Sequence, residues 1–98
     1  YSLFGGMAQG NSARWIKHDI WNQLKRVNLQ TNFRNAMKKG FAQSREQTSG
    51  IIRLTENEII QHGGHIYNYK LKIITRGHYR LYGRLDENGA MIFDHLRR

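Results

Sequence analysis

Residues 66–96 read IYNYKLKIITRGHYRLYGRLDENGAMIFDHL, and this stretch decides the fold. Three β-rich runs are separated by turn residues, with basic and histidine side chains at alternate positions. Alternate residues of a strand point to the same face. Within residues 77–85, Tyr79, Leu81 and Leu85 face one side, and His78, Arg80, Tyr82 and Arg84 the other. One side can build a core. The other is a cationic surface carrying an imidazole and a phenol, a combination suited to phosphate. Residues 86–89, Asp-Glu-Asn-Gly, form a strong hairpin turn.

Working outward, residues 65–74 predict a strand, Arg76-Gly77 a turn, 78–85 a strand and 90–96 a final strand. The register of the final strand leaves either Asp94 or His95 on the cationic face. Residues 50–55 predict another strand. Thr55-x-x-Glu58 fits a capping box, so one or two helical turns are expected over 56–62, with a short strand through Ile59 and Ile60 as the competing reading. Residues 41–49 are polar and predict a loop.

The first half reads as helical. Trp15, Ile16, Ile20, Leu24 and Val27 recur at helical spacing and predict a helix over 13–27, capped by Asn11 or Ser12. A second helix is predicted over 32–39, with Phe33 and Met37 inward and Gly40 just past its end. Residues 1–10 are Gly-rich and read as a linker or loose arm preceding one domain over 11–98. The expected fold is therefore α+β, with two N-terminal helices packed on a four- to five-stranded antiparallel sheet.

The composition narrows the function. The chain has 98 residues, 16 Lys plus Arg, 7 Asp plus Glu and a formal net charge of +9. Half of the basic residues fall in each half of the chain, so the charge is not one solvated tail. Such a balance favours nucleic acid, an anionic membrane surface or an acidic protein. There is no Cys, which excludes disulfides and thiolate metal sites. No apolar run is long enough for a membrane span, and no signal peptide is visible. The chain begins at Tyr1, which reads as a piece of something longer.

The expected basic face collects Arg53, Thr55, Asn68, Lys70, Lys72, His78, Arg80, Tyr82 and Arg84. Taken singly, each is explained as the solvated face of a sheet. As a group they are nearly all positive, and like charges set opposite one another cost stability unless an anion offsets them. Tyr67, Tyr69 and Tyr79 read as core. His18 reads as helix surface. His62 and His65 flank Gly63-Gly64 but lack the spacing or the Cys partners of a metal site, so no metal and no cofactor is expected. An imidazole on this face suits general acid–base work on RNA. It takes the 2′-OH proton while a second group protonates the leaving oxygen and cations hold the phosphorane charge.

The runs YKLKI at 69–73, HYRLYGR at 78–84 and GAMIFDH at 89–95 resemble the C-terminal toxin domains of bacterial contact-dependent inhibition and polymorphic toxin systems. The resemblance is to those with the ribonuclease fold shared by barnase, EndoU, colicin tRNases and RelE, and it covers residues 50–98. It implies a metal-independent antibacterial ribonuclease cleaving tRNA. It also implies an acidic cognate immunity protein, and a secreted or cell-surface effector active in the cytoplasm of the target cell. Roles carry over only to basic and His residues on the sheet face. The expected catalytic set is His78, Arg80, Tyr82 and Lys70, with His95 or His65. Arg84, Arg53, Lys72, Arg76 and Thr55 are expected to bind RNA. The competing readings are a non-catalytic nucleic-acid-binding module on the same face, and a domain whose charge serves only an acidic partner.

Overall fold

The computed structural model describes residues 2–3, 14–73 and 79–98. Among these, eight strands and two α-helices form. They run as β1 (Ser2–Leu3), β2 (Arg14–Ile16), α1 (His18–Arg26), α2 (Gln30–Lys39), β3 (Gly50–Arg53), β4 (Ile60–His62), β5 (His65–Tyr67), β6 (Tyr69–Lys72), β7 (Arg80–Leu85) and β8 (Met91–Arg97). The main sheet has the order β1-β2-β8-β7-β6-β3, and β4–β5 form a separate hairpin.

This corrects the expected sheet. β2 pairs in parallel with β8, Trp15 opposite Ile92 and Ile16 opposite Phe93, so the sheet is mixed. The other neighbouring pairs are antiparallel. The helix predicted over 13–27 loses its first turn to β2 and starts at His18. Ile16 is fully buried in the core shared with the helices, and the Lys17 N–H donates to the Phe93 carbonyl at 3.2 Å, extending the strand pairing. A strand of three residues has no periodicity that separates it from a helical turn. Asn11 and Ser12 lie outside the described residues, as does most of the expected arm, but Ser2–Leu3 pairs with β2 rather than hanging loose.

Both helices pack on one face of the sheet. α1 places Asp19 in its first turn and Lys25 and Arg26 in its last, in line with the helix dipole. It stops where Asn28 adopts a left-handed φ of 59°, a conformation Asn tolerates. α2 ends at Gly40 (φ 68°), the position expected from the sequence. Ile20, Leu24, Phe33, Ala36 and Met37 of the helices bury against Ile51, Leu71, Leu81, Met91 and Phe93 of the sheet. Each fully buried large side chain contributes about 1.5–3 kcal/mol. Gly83 is required here: a Cβ on it would meet the Phe93 ring at 2.7 Å.

The opposite face carries the β4–β5 hairpin. The long strand expected over 65–74 is interrupted at Asn68, so β5 belongs to the hairpin and β6 to the sheet. Both readings of 56–62 hold in part. A 3-10 turn with a complete capping box covers Glu56–Glu58, and β4 follows. Leu54, Tyr67 and Tyr82, with Ile60 against them, form a small apolar cluster that fastens the hairpin to the sheet.

Candidate functional site

The register brings three expected residues into one row. Lys70 of β6 lies opposite Tyr82 of β7, and Tyr82 lies opposite His95 of β8. Residues directly opposite in antiparallel strands share a face, with Cβ atoms about 4.5–5.5 Å apart. In the next row Arg80 stands opposite Arg97, both exposed. Lys70, Arg80, Tyr82 and Arg97 line a groove of about 390 Å³, together with Leu54 just past β3, Glu58 of the 3-10 turn and Ile60 of the hairpin.

A β-bulge decides what the last strand presents. Tyr82 pairs with His95, but Gly83 pairs with Phe93, so Asp94 is the extra residue. Phe93 and Leu96, three residues apart, both reach the helix-side core. Asp94 and His95 therefore both serve the opposite face, and the choice between them dissolves.

Asp94 is an anchor. Its carboxylate takes three hydrogen bonds from Arg84, the shortest at 2.8 Å, and one from the Tyr67 hydroxyl at 2.8 Å. Burial, together with donation to Asp94, pushes the Tyr67 phenol up to about 12, so it stays protonated and donating. The Asp94 hydrogen bonds raise Arg84 further. Arg84 thus has a fixed partner and is not an open phosphate ligand.

His95 is half-buried and sits under the hairpin. Its ring stacks on His62 at 4.1 Å between centroids, with Tyr67 at 5.4 Å and Tyr82 at 5.8 Å. Burial lowers its pKa, helped by the neighbouring His62 and Arg97 and opposed by Asp94. It is neutral near pH 7, the form a general base needs. Burial also lowers Lys70, and the Arg80, Arg45 and Lys72 cations add to this against Glu58. A less basic ammonium gives up a proton more readily.

Glu58 is held back from that chemistry. Arg45 Nη2 donates to both of its carboxylate oxygens at 2.7 Å, and the Thr55 N–H and hydroxyl donate at 2.9 Å. The Thr55 backbone bond, then Arg45, bring its pKa to about 2. It remains a carboxylate occupied by its own donors.

The remaining expected residues fall elsewhere. His78 and Arg76 lie outside the described residues. Thr55 is engaged as the cap of the 3-10 turn. Lys72 donates to the Arg45 carbonyl at 2.8 Å. Arg53 pairs with Tyr69, which packs on the helix-side core, so Arg53 is on the wrong face for this groove. The reason is that β3 runs with Ile52, not Arg53, opposite Lys70. His65 stands at the exposed hairpin end, opposite His62. Tyr82 is only 6% exposed, too buried to offer a face to a stacked base. Sequence reasoning missed Arg97 and His62. Arg97 was legible as two residues beyond His95, but His62 reaches the site only because the hairpin folds back.

Among the described residues no group of three or more His, Asp or Glu side chains is placed to hold a metal ion. No helix among them is long and apolar enough to cross a membrane. The chain matches no family model, no curated protein and no solved structure.

Proposed function

We propose that the domain is a metal-independent ribonuclease toxin acting on tRNA. The observation that carries this reading is the cross-strand row Lys70–Tyr82–His95 beside the opposed pair Arg80 and Arg97. Two arginines facing each other on an exposed sheet are unfavourable until an anion lies between them. A backbone phosphate is such an anion.

In this reading the scissile phosphate lies over Lys70, Arg80 and Arg97. Neutral His95 takes the proton of the 2′-OH, whose oxygen attacks phosphorus. The bond to the 5′-oxygen breaks, and that oxygen receives a proton from Lys70 or from the Tyr82 hydroxyl. The products are a 2′,3′-cyclic phosphate and a 5′-hydroxyl end. The cations stabilise the charge that builds on the phosphorane. The same surface suits an acidic immunity protein, and the domain would act in the cytoplasm of a target bacterium after delivery by a secreted or cell-surface effector.

The test is incubation with total tRNA in EDTA, followed by gel electrophoresis and end analysis. Fragments ending in a cyclic phosphate are expected. A retarded but intact band assigns the face to non-catalytic nucleic-acid binding. Neither effect leaves only the charge-matched protein partner.

A further inference from the structure

The row next to the candidate site holds a second concave surface. Arg84 of β7 stands opposite Ile92 of β8, and Ile92 stands opposite Trp15 of β2. Ile16 and Phe93, the next pair along, are buried against the helices, so Trp15 and Ile92 occupy the other face, the one that carries Tyr82 and His95. Trp15, Ile92, Ala90, Arg84 and the turn residues Asp86 and Asn88 line a cavity of about 560 Å³. That is within the usual range of sites for small organic groups.

Its construction is unlike a leftover gap. Ile92, 8% exposed, lies in the lining beside an indole that belongs to neither apolar cluster of the described residues. The turn is fixed by Asp86, whose Oδ1 accepts the Asn88 and Ala90 N–H groups at 2.8 and 2.9 Å. This fixes the turn that brings Asn88 to the cavity, beside Trp15, Ala90 and Ile92. Arg84, tied to Asp94, adds a planar guanidinium to the wall. A flat aromatic wall, an aliphatic residue and a few polar edge groups are what a nucleobase requires.

We propose that this cavity is a base-binding subsite, taking the nucleobase of an RNA nucleotide adjacent to the scissile phosphate, with the base stacked on Trp15. The proposal rests on the reading of RNA as the substrate. Arg84 is two residues along β7 from Tyr82, roughly 7 Å, within reach of a neighbouring nucleotide of the same strand. Tyr82 is too buried to stack a base, so Trp15 takes that part.

The test compares a single-stranded all-deoxy oligonucleotide, which lacks the 2′-OH, with the same chain made abasic. Both are titrated against the intact chain by fluorescence anisotropy, and RNA cleavage is measured in parallel. The wild type is expected to bind the base-bearing chain on the order of tenfold to a hundredfold more tightly. Trp15→Leu should remove most of that difference and leave binding of the abasic chain unchanged. Equal binding of the two oligonucleotides by the wild type overturns the subsite, and needs no variant. Base-dependent binding that survives intact in Trp15→Leu overturns it too, even if RNA is cleaved. Base-dependent binding lost with Trp15, without any RNA cleavage, supports the subsite and overturns the ribonuclease.

Discussion

His62 and His95 lie ring on ring, 4.1 Å apart and 21° from parallel, although 32 residues of chain separate them. One belongs to the small hairpin and the other to the last strand of the main sheet. The contact, with Tyr67 and Tyr82 around it, closes the hairpin over the sheet. It also places His62 where it helps to disfavour protonation of His95, after the larger effect of burial.

That stack makes stability depend on pH. His95 has a folded pKa below its ordinary 6.5, so the unfolded chain binds its proton first as pH falls. Its stabilising share is complete above pH 6.5 and is lost as pH falls through the lowered value. Glu58 acts in a second, lower window, from 4.5 down to about 2, because its folded pKa is lowered too. Denaturant midpoints measured at successive pH values should fall in both windows. His95→Gln should flatten the upper one and Glu58→Gln the lower. A pH profile unchanged by His95→Gln would contradict the buried, stacked imidazole.

Asp94 should be the costliest polar position. Its side chain is 7% exposed and that of Arg84 is 15% exposed. Removing one member of a largely buried ion pair typically costs about 3–5 kcal/mol, since the other charge is left buried alone. Asp94→Ala should lose about that much by urea denaturation. Tyr67→Phe should lose only about 1–2 kcal/mol, because Asp94 keeps Arg84. Equal losses for the two would mean that the ion pair contributes nothing.

How far this arrangement is legible in the sequence depends on the range of the interactions that fix it. Alternation in 80–85 and the 86–89 turn are local, and β7, the turn and β8 follow them closely. The capping box at Thr55 and the stop at Gly40 are local too. β2 escapes because Trp15 and Ile16 fall in phase with Ile20 and Leu24, while its pairing partner is β8, at the far end of the chain. The break at Asn68 escapes because β5 and β6 read as one alternating run. The bulge at Asp94 lies where Phe93 packs on Gly83 across the sheet, a contact between strands. His62 joins His95 through the hairpin, so the site itself is assembled by tertiary contacts that no window of sequence contains.

Gly83 tests the origin of the bulge. A methyl group there would sit 2.7 Å from Phe93 Cε1 and 3.3 Å from Met91 Sδ. Gly83→Ala is expected to cost about 1–3 kcal/mol through overpacking. It should also disturb the His95 ring resonances in an NMR spectrum, since Phe93 cannot move without shifting the bulge. Loss of stability with His95 unmoved would uncouple the two.

Arg97 and Arg53 separate the groove from the general charge of the chain. Both are exposed arginines, but Arg97 lines the groove and Arg53 lies on the helix face. Single-stranded RNA releases about 0.7 counterion per phosphate neutralised. Arg97→Ala should reduce the slope of log K against log salt by about 0.7, and Arg53→Ala should leave it unchanged. Equal effects would show that RNA does not choose this face.

The proposed chemistry turns on His95. Loss of a proton-transfer group usually costs about 10²–10⁴-fold in rate. His95→Ala should therefore lower cleavage by that order while RNA binding stays within a few-fold, because the phosphate remains held by Lys70, Arg80 and Arg97. His62→Ala separates a positioning role from a catalytic one. Without His62, His95 is less buried and loses a neighbouring positive charge, and both changes raise its pKa. The acid limb of kcat/KM against pH should then move to higher pH while the plateau at alkaline pH persists. A plateau that collapses as far as in His95→Ala would make His62 a proton-transfer group in its own right. Wild-type cleavage by His95→Ala would remove the imidazole from the mechanism and leave the proton to Lys70 and Tyr82.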